Sequence, residues 1–97
     1  MFVAIVCCEL HLPHAGSLKS KRRVVRSLLD RLHERARVSV AETAFHDLHQ
    51  RAEIGIAAVA AQAGGLERLC DELRRLVDAE PEAVVTRWDA QLLEEAP

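Results

Sequence analysis

The stretch Phe2-Val-Ala-Ile-Val-Cys-Cys-Glu-Leu-His-Leu12 alternates along its length between two sets of side chains. Phe2 and every second residue up to Leu12 form a wholly apolar set, whereas the other set turns polar at Glu9. A period of two is typical of a β-strand, and a continuous apolar face indicates that the strand lies on a core. Pro13 and Gly16 end this strand.

An amphipathic helix is predicted to follow, with Ser17 as its N-cap. The apolar residues after it recur at the spacing of an α-helix and form one stripe, made of Leu18, Val25, Leu28, Leu29, Leu32 and Ala36. Basic residues lie on the opposite side of this helix, at Lys19, Arg22, Arg23 and Arg26.

The rest of the chain predicts two further strands, a helix and a last strand. Residues 38–44 and 52–60 alternate as strands and are joined by the polar link 45–51, which indicates a hairpin. Gly64-Gly65 is expected to break the chain before a second helix that ends near Pro81. The final strand runs from Val84 to Leu92, with Val84, Trp88 and Leu92 expected on one face.

This order predicts one α+β domain spanning residues 1–97. The most economical arrangement is a ferredoxin-like βαββαβ two-layer sandwich, in which both helices cover one face of a four-stranded antiparallel sheet. The other face would be apolar, and we expect a partner molecule or a second copy over part of it. Its predicted members are Val3, Ile5, Cys7, Ala41, Gly55, Ala57, Val59 and Val85.

Charge is distributed unevenly along the chain, although the net charge is only −2. Basic residues crowd the start of the first helix, where they oppose the helix dipole unless an anion is bound there. The predicted polyanion-binding residues are therefore Lys19, Lys21, Arg22, Arg23 and Arg26, with Arg37 and Arg51 as extensions. The alternative is a solvated helix face without a ligand.

Other chemistries find little support in the sequence. The three cysteines lack a disulfide framework and fit a reducing cytoplasm, and neither a signal peptide nor a membrane span is predicted. Scarce aromatic residues argue against base stacking on the sheet. The pairs His11/His14 and His46/His49 have metal-ligand spacing but no helix to align them, so we predict no metal, cofactor or small-molecule substrate. The segment 46–51 is either a small acid/base constellation or, more simply, a turn.

Three blocks of sequence together resemble a known family. They are Leu10-His-Leu-Pro13 with Ser17-Leu-Lys-Ser-Lys-Arg22, then Val38-Ser-Val-Ala-Glu42, and then Asp47-Leu-His-Gln-Arg-Ala52 followed by Ile54-Gly-Ile-Ala57. The chain is similar to the bacterial YlxP-like family, a small domain of unknown function, most closely over residues 1–60. The resemblance implies a ferredoxin-like fold, no established enzyme activity or cofactor, and gene neighbourhoods that often contain translation initiation and ribosome-maturation factors. His49 stands where the family more often has an aromatic residue.

These observations predict a cytoplasmic, non-enzymatic accessory protein that contacts ribosomal RNA or another polyanion through its first helix. The alternative is a protein-interaction module, a homodimer joined through the open face of the sheet. In that case the basic helix pairs with an acidic surface of a partner or with the acidic second half of the neighbouring copy.

Overall fold

The structure, a computed structural model, describes residues 1–96, and Pro97 lies outside the described residues. Its elements follow the predicted order of strand, helix, two strands, helix and strand. They are β1 (Phe2–His11), α1 (Leu18–Ala36), β2 (Ser39–Ala44), β3 (Arg51–Ala60), α2 (Ala63–Asp78) and β4 (Val84–Glu94).

The four strands form one antiparallel sheet in the order β2-β3-β1-β4. The first strand is central and pairs with β3 along its whole length, from Phe2 opposite Ala60 to His11 opposite Arg51. Both helices pack on the face that carries the even-numbered residues of β1. The prediction of an α+β, ferredoxin-like βαββαβ sandwich is confirmed.

The core lies between the helices and this face of the sheet. Alternate residues of β1 and β3 are buried, and they meet the apolar stripes of α1 and α2. Burying a large aliphatic side chain contributes about 1.5–3 kcal/mol, so this layer is the main source of stability. Its largest fully buried apolar side chains are Leu10, Leu12, Leu28, Leu32, Ile54, Leu66 and Leu73.

Ser17 caps α1 as predicted. The Ser20 backbone N–H donates to Ser17 Oγ at 3.1 Å, and the Ser17 backbone N–H donates to Ser20 Oγ at 3.2 Å. This reciprocal pair satisfies two backbone donors at the start of the helix. The cap fixes the residue at which α1 begins, and so it fixes which side of the helix each of the following basic residues occupies.

The second helix begins earlier than predicted. Gly64 and Gly65 were expected to break the chain ahead of it, but both lie in its first turn. Neither has a positive φ angle, so both take up ordinary helical backbone. The expectation of a break is wrong because glycine lowers helix stability by only about 1 kcal/mol, which the packing of Leu66 and Leu73 offsets.

A bulge in β4 overturns two predictions about side-chain direction. Glu9 pairs with Arg87 while Leu10 pairs with Val85, so Thr86 is an extra residue between them. An extra residue reverses the alternation of the strand. Val85 therefore packs against the core instead of joining the open face, and Val84 is exposed instead of sharing a face with Trp88.

Candidate functional site

A stripe of basic side chains occupies the solvent side of α1. It consists of Lys19, Arg22, Arg23 and Arg26, and we call it the basic stripe; all four residues are exposed. Their separations of three and four residues place them as neighbours on the helix surface. Within residues 1–96, none of the four forms an ion pair with an acidic side chain. The stripe is therefore a surface of uncompensated positive charge.

The basic stripe is short and has a defined end. Its four side chains border a shallow groove along the helix, which continues to Ser27 and Asp30. From Lys19 to Arg26 the helix rises about 10 Å, at roughly 1.5 Å per residue. Beyond it, Asp30 and Glu34 introduce negative charge on the exposed helix surface. A ligand in this groove meets four cations and, at the far end, the carboxylate of Asp30.

Lys21 does not belong to this surface, which corrects its predicted role. Its side chain is fully buried, and its ammonium donates to three backbone carbonyls. They are those of Phe45 at 2.7 Å, Leu48 at 2.7 Å and Arg51 at 3.0 Å. The Lys21 Nζ also lies 2.9 Å from Glu42 Oε2 in an ion pair. With its three protons used inside the protein, Lys21 has none for an external anion.

The carbonyls that surround Lys21 belong to the link between β2 and β3. Phe45 has a φ angle of 64°, a left-handed conformation that side chains other than glycine rarely adopt and that costs about 1–3 kcal/mol. The hydrogen bond from Lys21 to the Phe45 carbonyl offsets part of this cost. The Leu48 N–H also donates to the Phe45 carbonyl at 3.0 Å, which closes the turn. The link is thus held in one conformation by a side chain of α1.

The polar side chains of this link make the contacts of a turn. Arg51 pairs with Glu9 at 3.2 Å and lies 3.9 Å from the centre of the Phe45 ring. His46 Nε2 lies 3.1 Å from the Glu42 carbonyl. Arg51 is therefore engaged away from the basic stripe. Arg37, the other suggested extension, caps the far end of α1 and lies about 16 Å along the helix from Arg26, at roughly 1.5 Å per residue.

The open face of the sheet changes from apolar to charged along its length. Val3, between Leu93 and Val59, marks the apolar end, and Glu9, between Arg87 and Glu53, marks the charged end. At the apolar end of this face, Val59 is the most exposed large apolar side chain, with 67% of its surface accessible to solvent. In the middle of the face it is Ile5, with 45% accessible. All the predicted members of this face lie on it except Val85, and Leu93 takes a place that was not predicted.

Gly55 lies on this face, directly beneath the side chain of Thr43. A Cβ atom at this position would lie 2.8 Å from the Thr43 methyl group, which is closer than such atoms approach. Thr43 is fixed over the glycine because its Oγ1 donates to Glu53 Oε1 at 2.9 Å. The glycine therefore leaves room for the Thr43 side chain and for a shallow apolar trough, lined also by Ile5 and Ala57.

The three cysteine thiols all have a pKa above the ordinary value. Burial raises the pKa of Cys8 to about 12, and burial is also the main cause of the raised pKa of Cys7 and Cys70. A protonated thiol is a weak nucleophile and a weak ligand. Within residues 1–96 no three histidine, cysteine or acidic side chains converge on a metal position.

No helix in the described part of the chain is long and apolar enough to cross a membrane.

Taken together, the sheet order and the helix placement define a small ferredoxin-like α+β domain with one exposed basic helix face. A family described as "Protein of unknown function (DUF503)" matches residues 3–90, and the chain belongs to this family. The chain is 36% identical over 75 residues to a protein of Bacillus subtilis (strain 168) described as "Uncharacterized protein YlxP", covering 77% of this chain and 82% of that one. The resemblance to the YlxP-like family is confirmed.

A solved structure is also similar to this chain. It is described as "Crystal structure of protein SO0527 from Shewanella oneidensis", with 18% identity and a TM-score of 0.45. The match covers 93% of this chain and 88% of the other.

The structure also shows where the blocks that carry the family resemblance meet. Lys21 comes from the first block, Glu42 from the second, and the carbonyls of Leu48 and Arg51 from the third. These blocks converge on one buried ammonium. In this chain they hold the turn between β2 and β3 against α1, and they do so beside the basic stripe, not within it.

Proposed function

We propose that this protein is a non-enzymatic cytoplasmic accessory protein that binds ribosomal RNA or another polyanion through the basic stripe of α1. The observation that carries the proposal is the set of four exposed cations on one helix face, none of which forms an ion pair within residues 1–96. Phosphate is the ligand that fits, because arginine binds phosphate oxygens through two parallel hydrogen bonds. Three of the four stripe residues are arginines.

The stripe has an energetic cost in the free protein that a bound anion would relieve. Like charges at separations of three or four residues destabilise a helix by about 0.2–0.5 kcal/mol per pair, and the stripe contains such pairs throughout. Lys19 also lies in the first turn of α1, where a cation opposes the helix dipole, and no acidic residue is present in that turn. A bound phosphate reverses both effects.

The first experiment is cosedimentation with purified ribosomal subunits over a series of salt concentrations. The test variant is Arg22→Glu with Arg23→Glu. The matched control is Arg68→Glu with Arg75→Glu, because these two arginines of α2 are also exposed, form no ion pair within residues 1–96, and change the net charge equally.

We expect the wild type and the control to pellet with subunits at low salt and to be released as salt rises, because exposed charge pairs are screened. The test variant is expected to stay in the supernatant. Pelleting of the test variant equal to that of the control, or no pelleting of the wild type at low salt, would overturn the proposal.

A second candidate function is self-association through the open face of the sheet. The exposure of Ile5 and Val59 favours it, since a soluble monomer gains by covering large apolar side chains. Strands about 4.8 Å apart over the levels of Val3 to Cys7 give an area of roughly 300 Å² per subunit. Gln91 and Asp89 lie at these levels, so the apolar part is smaller still. A standard interface buries about 800 Å² per partner, so a dimer formed here is weak and depends on concentration.

Sedimentation velocity over a range of protein concentrations tests this second candidate. We expect reversible association that Val59→Glu removes, because a dimer would bury this carboxylate without a partner. Val84→Glu is the control, since Val84 is also exposed but lies at the other end of the sheet. A monomer at every concentration, or equal effects of the two variants, would exclude the sheet-face dimer.

A further inference from the structure

The positions of the three aromatic side chains narrow the kind of polyanion that the basic stripe suits. Proteins that hold single-stranded nucleic acid stack its bases on exposed aromatic rings. Here one face of the Phe45 ring is covered by the Arg51 guanidinium, 3.9 Å from the ring centre. Trp88 and Phe2 are half-buried against the core, and Arg74 lies over the Trp88 ring. Neither phenylalanine, tyrosine nor tryptophan lies in α1, so none of these rings extends the stripe along its own helix.

The shape of the stripe points in the same direction. Lys19, Arg22, Arg23 and Arg26 border a shallow, open groove on the solvent side of a single helix. An axial length of about 10 Å carries roughly six phosphates on the two strands of a double helix together, and about three on either strand alone. Four cations therefore find more partners on a duplex, whose phosphates flank its grooves.

From these observations we infer that the ligand of the basic stripe is a nucleic-acid double helix, contacted through its phosphates and not through its bases. The inference rests on the proposed function, because it names the class of polyanion that the same residues bind. Hydrogen bonds to phosphate oxygens carry no direct sequence information, whichever bases the duplex contains. Binding is accordingly independent of sequence and limited to the length of the stripe.

The test measures the affinity of the full chain for four labelled probes and for inorganic polyphosphate at one low salt concentration. The probes are an RNA duplex and a DNA duplex of about 20 base pairs, with unstructured oligouridine and oligothymidine of the same length. The duplexes are expected to bind at least about fivefold more tightly than the single strands, given their higher phosphate density. Changing the base sequence of a duplex is expected to alter its affinity less than about twofold.

The arms of the experiment separate this inference from the proposal beneath it. Preference for the RNA duplex, the DNA duplex or both supports the inference and names the source of the double helix. Single strands that bind as tightly as duplexes, or polyphosphate binding without duplex binding, would overturn the inference while leaving polyanion binding intact. Failure of every probe, polyphosphate included, would overturn the proposed function as well. The Arg22→Glu, Arg23→Glu variant, run beside the Arg68→Glu, Arg75→Glu control, assigns the signal to the stripe.

Discussion

Lys19 and Lys21 lie two residues apart on one helix and have opposite surroundings. Lys19 is exposed on the basic stripe, whereas Lys21 is fully buried and donates to three carbonyls beside a carboxylate. A step of two residues turns an α-helix by about 200°, so one side chain faces solvent and the other faces the core. The comparison teaches that the basic segment has two separate roles. Its exposed side chains, such as Lys19, are suited to binding anions, whereas the buried Lys21 fixes the turn between β2 and β3.

The largest expected effect comes from removing the inner cation. Lys21→Met leaves the Glu42 carboxylate without its cation and three carbonyls without their donor, so we expect a loss of about 3–5 kcal/mol in the free energy of unfolding. Lys19→Met is the matched control and should change stability by less than about 0.5 kcal/mol. Urea unfolding of the two variants measures the difference.

Equal stabilities of these variants would contradict the assignment of Lys21 to the core. If Lys21→Met yields no folded protein, Glu42→Gln gives a second measure, with an expected loss of about 1–3 kcal/mol. Chemical labelling of amines in the wild-type protein is an independent test of the burial of Lys21. The chain has just these two lysines, so we expect modification of Lys19 and of the N-terminus in the folded protein, and of Lys21 only after unfolding.

A second prediction contrasts two buried ionisable groups. Lys21 is surrounded by oxygen acceptors, whereas burial raises the pKa of the Cys8 thiol from 9.0 to about 12. Since the folded state holds the thiol proton more tightly, its contribution is complete below pH 9 and is lost as pH rises towards 12. Stability should fall by about 1 kcal/mol by pH 10 from this group. Chemical denaturation at several pH values measures this loss. Cys8→Ala should make the free energy of unfolding depend less on pH above pH 9, and an unchanged pH dependence in this variant would contradict the prediction.

The smallest expected effect is a gain in stability on the outer side. Lys19→Glu places an acidic residue in the first turn of α1 and replaces repulsion of Arg22 and Arg23 by attraction, which should add about 1 kcal/mol. The same change should weaken polyanion binding. Thermal unfolding and a binding titration on one preparation measure both quantities. A melting temperature of Lys19→Glu below that of the wild type would contradict this prediction, because it would show that Lys19 stabilises the folded protein.

Much of the fold could be predicted from sequence because hydrophobic periodicity reports local structure. The alternation in residues 2–12 and the apolar stripe after Ser17 gave the right elements in the right order. The phase of β4 could not be predicted in the same way. Its bulge at Thr86 depends on pairing with Glu9 and Leu10, far away in the chain, and one extra residue reverses every direction before it.

The functional site could be predicted in part. The main wrong prediction placed Lys21 on the binding surface, although the sequence itself indicated a buried position. Lys21 lies three residues after Leu18 and four before Val25, which places it on the apolar stripe and not opposite to it. Glu42 likewise alternates in phase with Val40, a residue of the core side. Two opposite charges, each at a core position of its own element, indicate a buried pair. The three carbonyls around Lys21 carried no such signal, since they depend on the left-handed conformation of Phe45.

The central claim is that the basic stripe binds phosphate, and the salt dependence of binding tests it most directly. For wild-type protein and a double-stranded probe, the slope of log K against log salt should be about −3 to −4, since up to four cations each contribute about −0.9. Lys19→Gln should reduce the slope by about one, whereas Arg68→Gln on α2 should leave it unchanged. A slope near zero, or one that Lys19→Gln does not alter, would contradict the account.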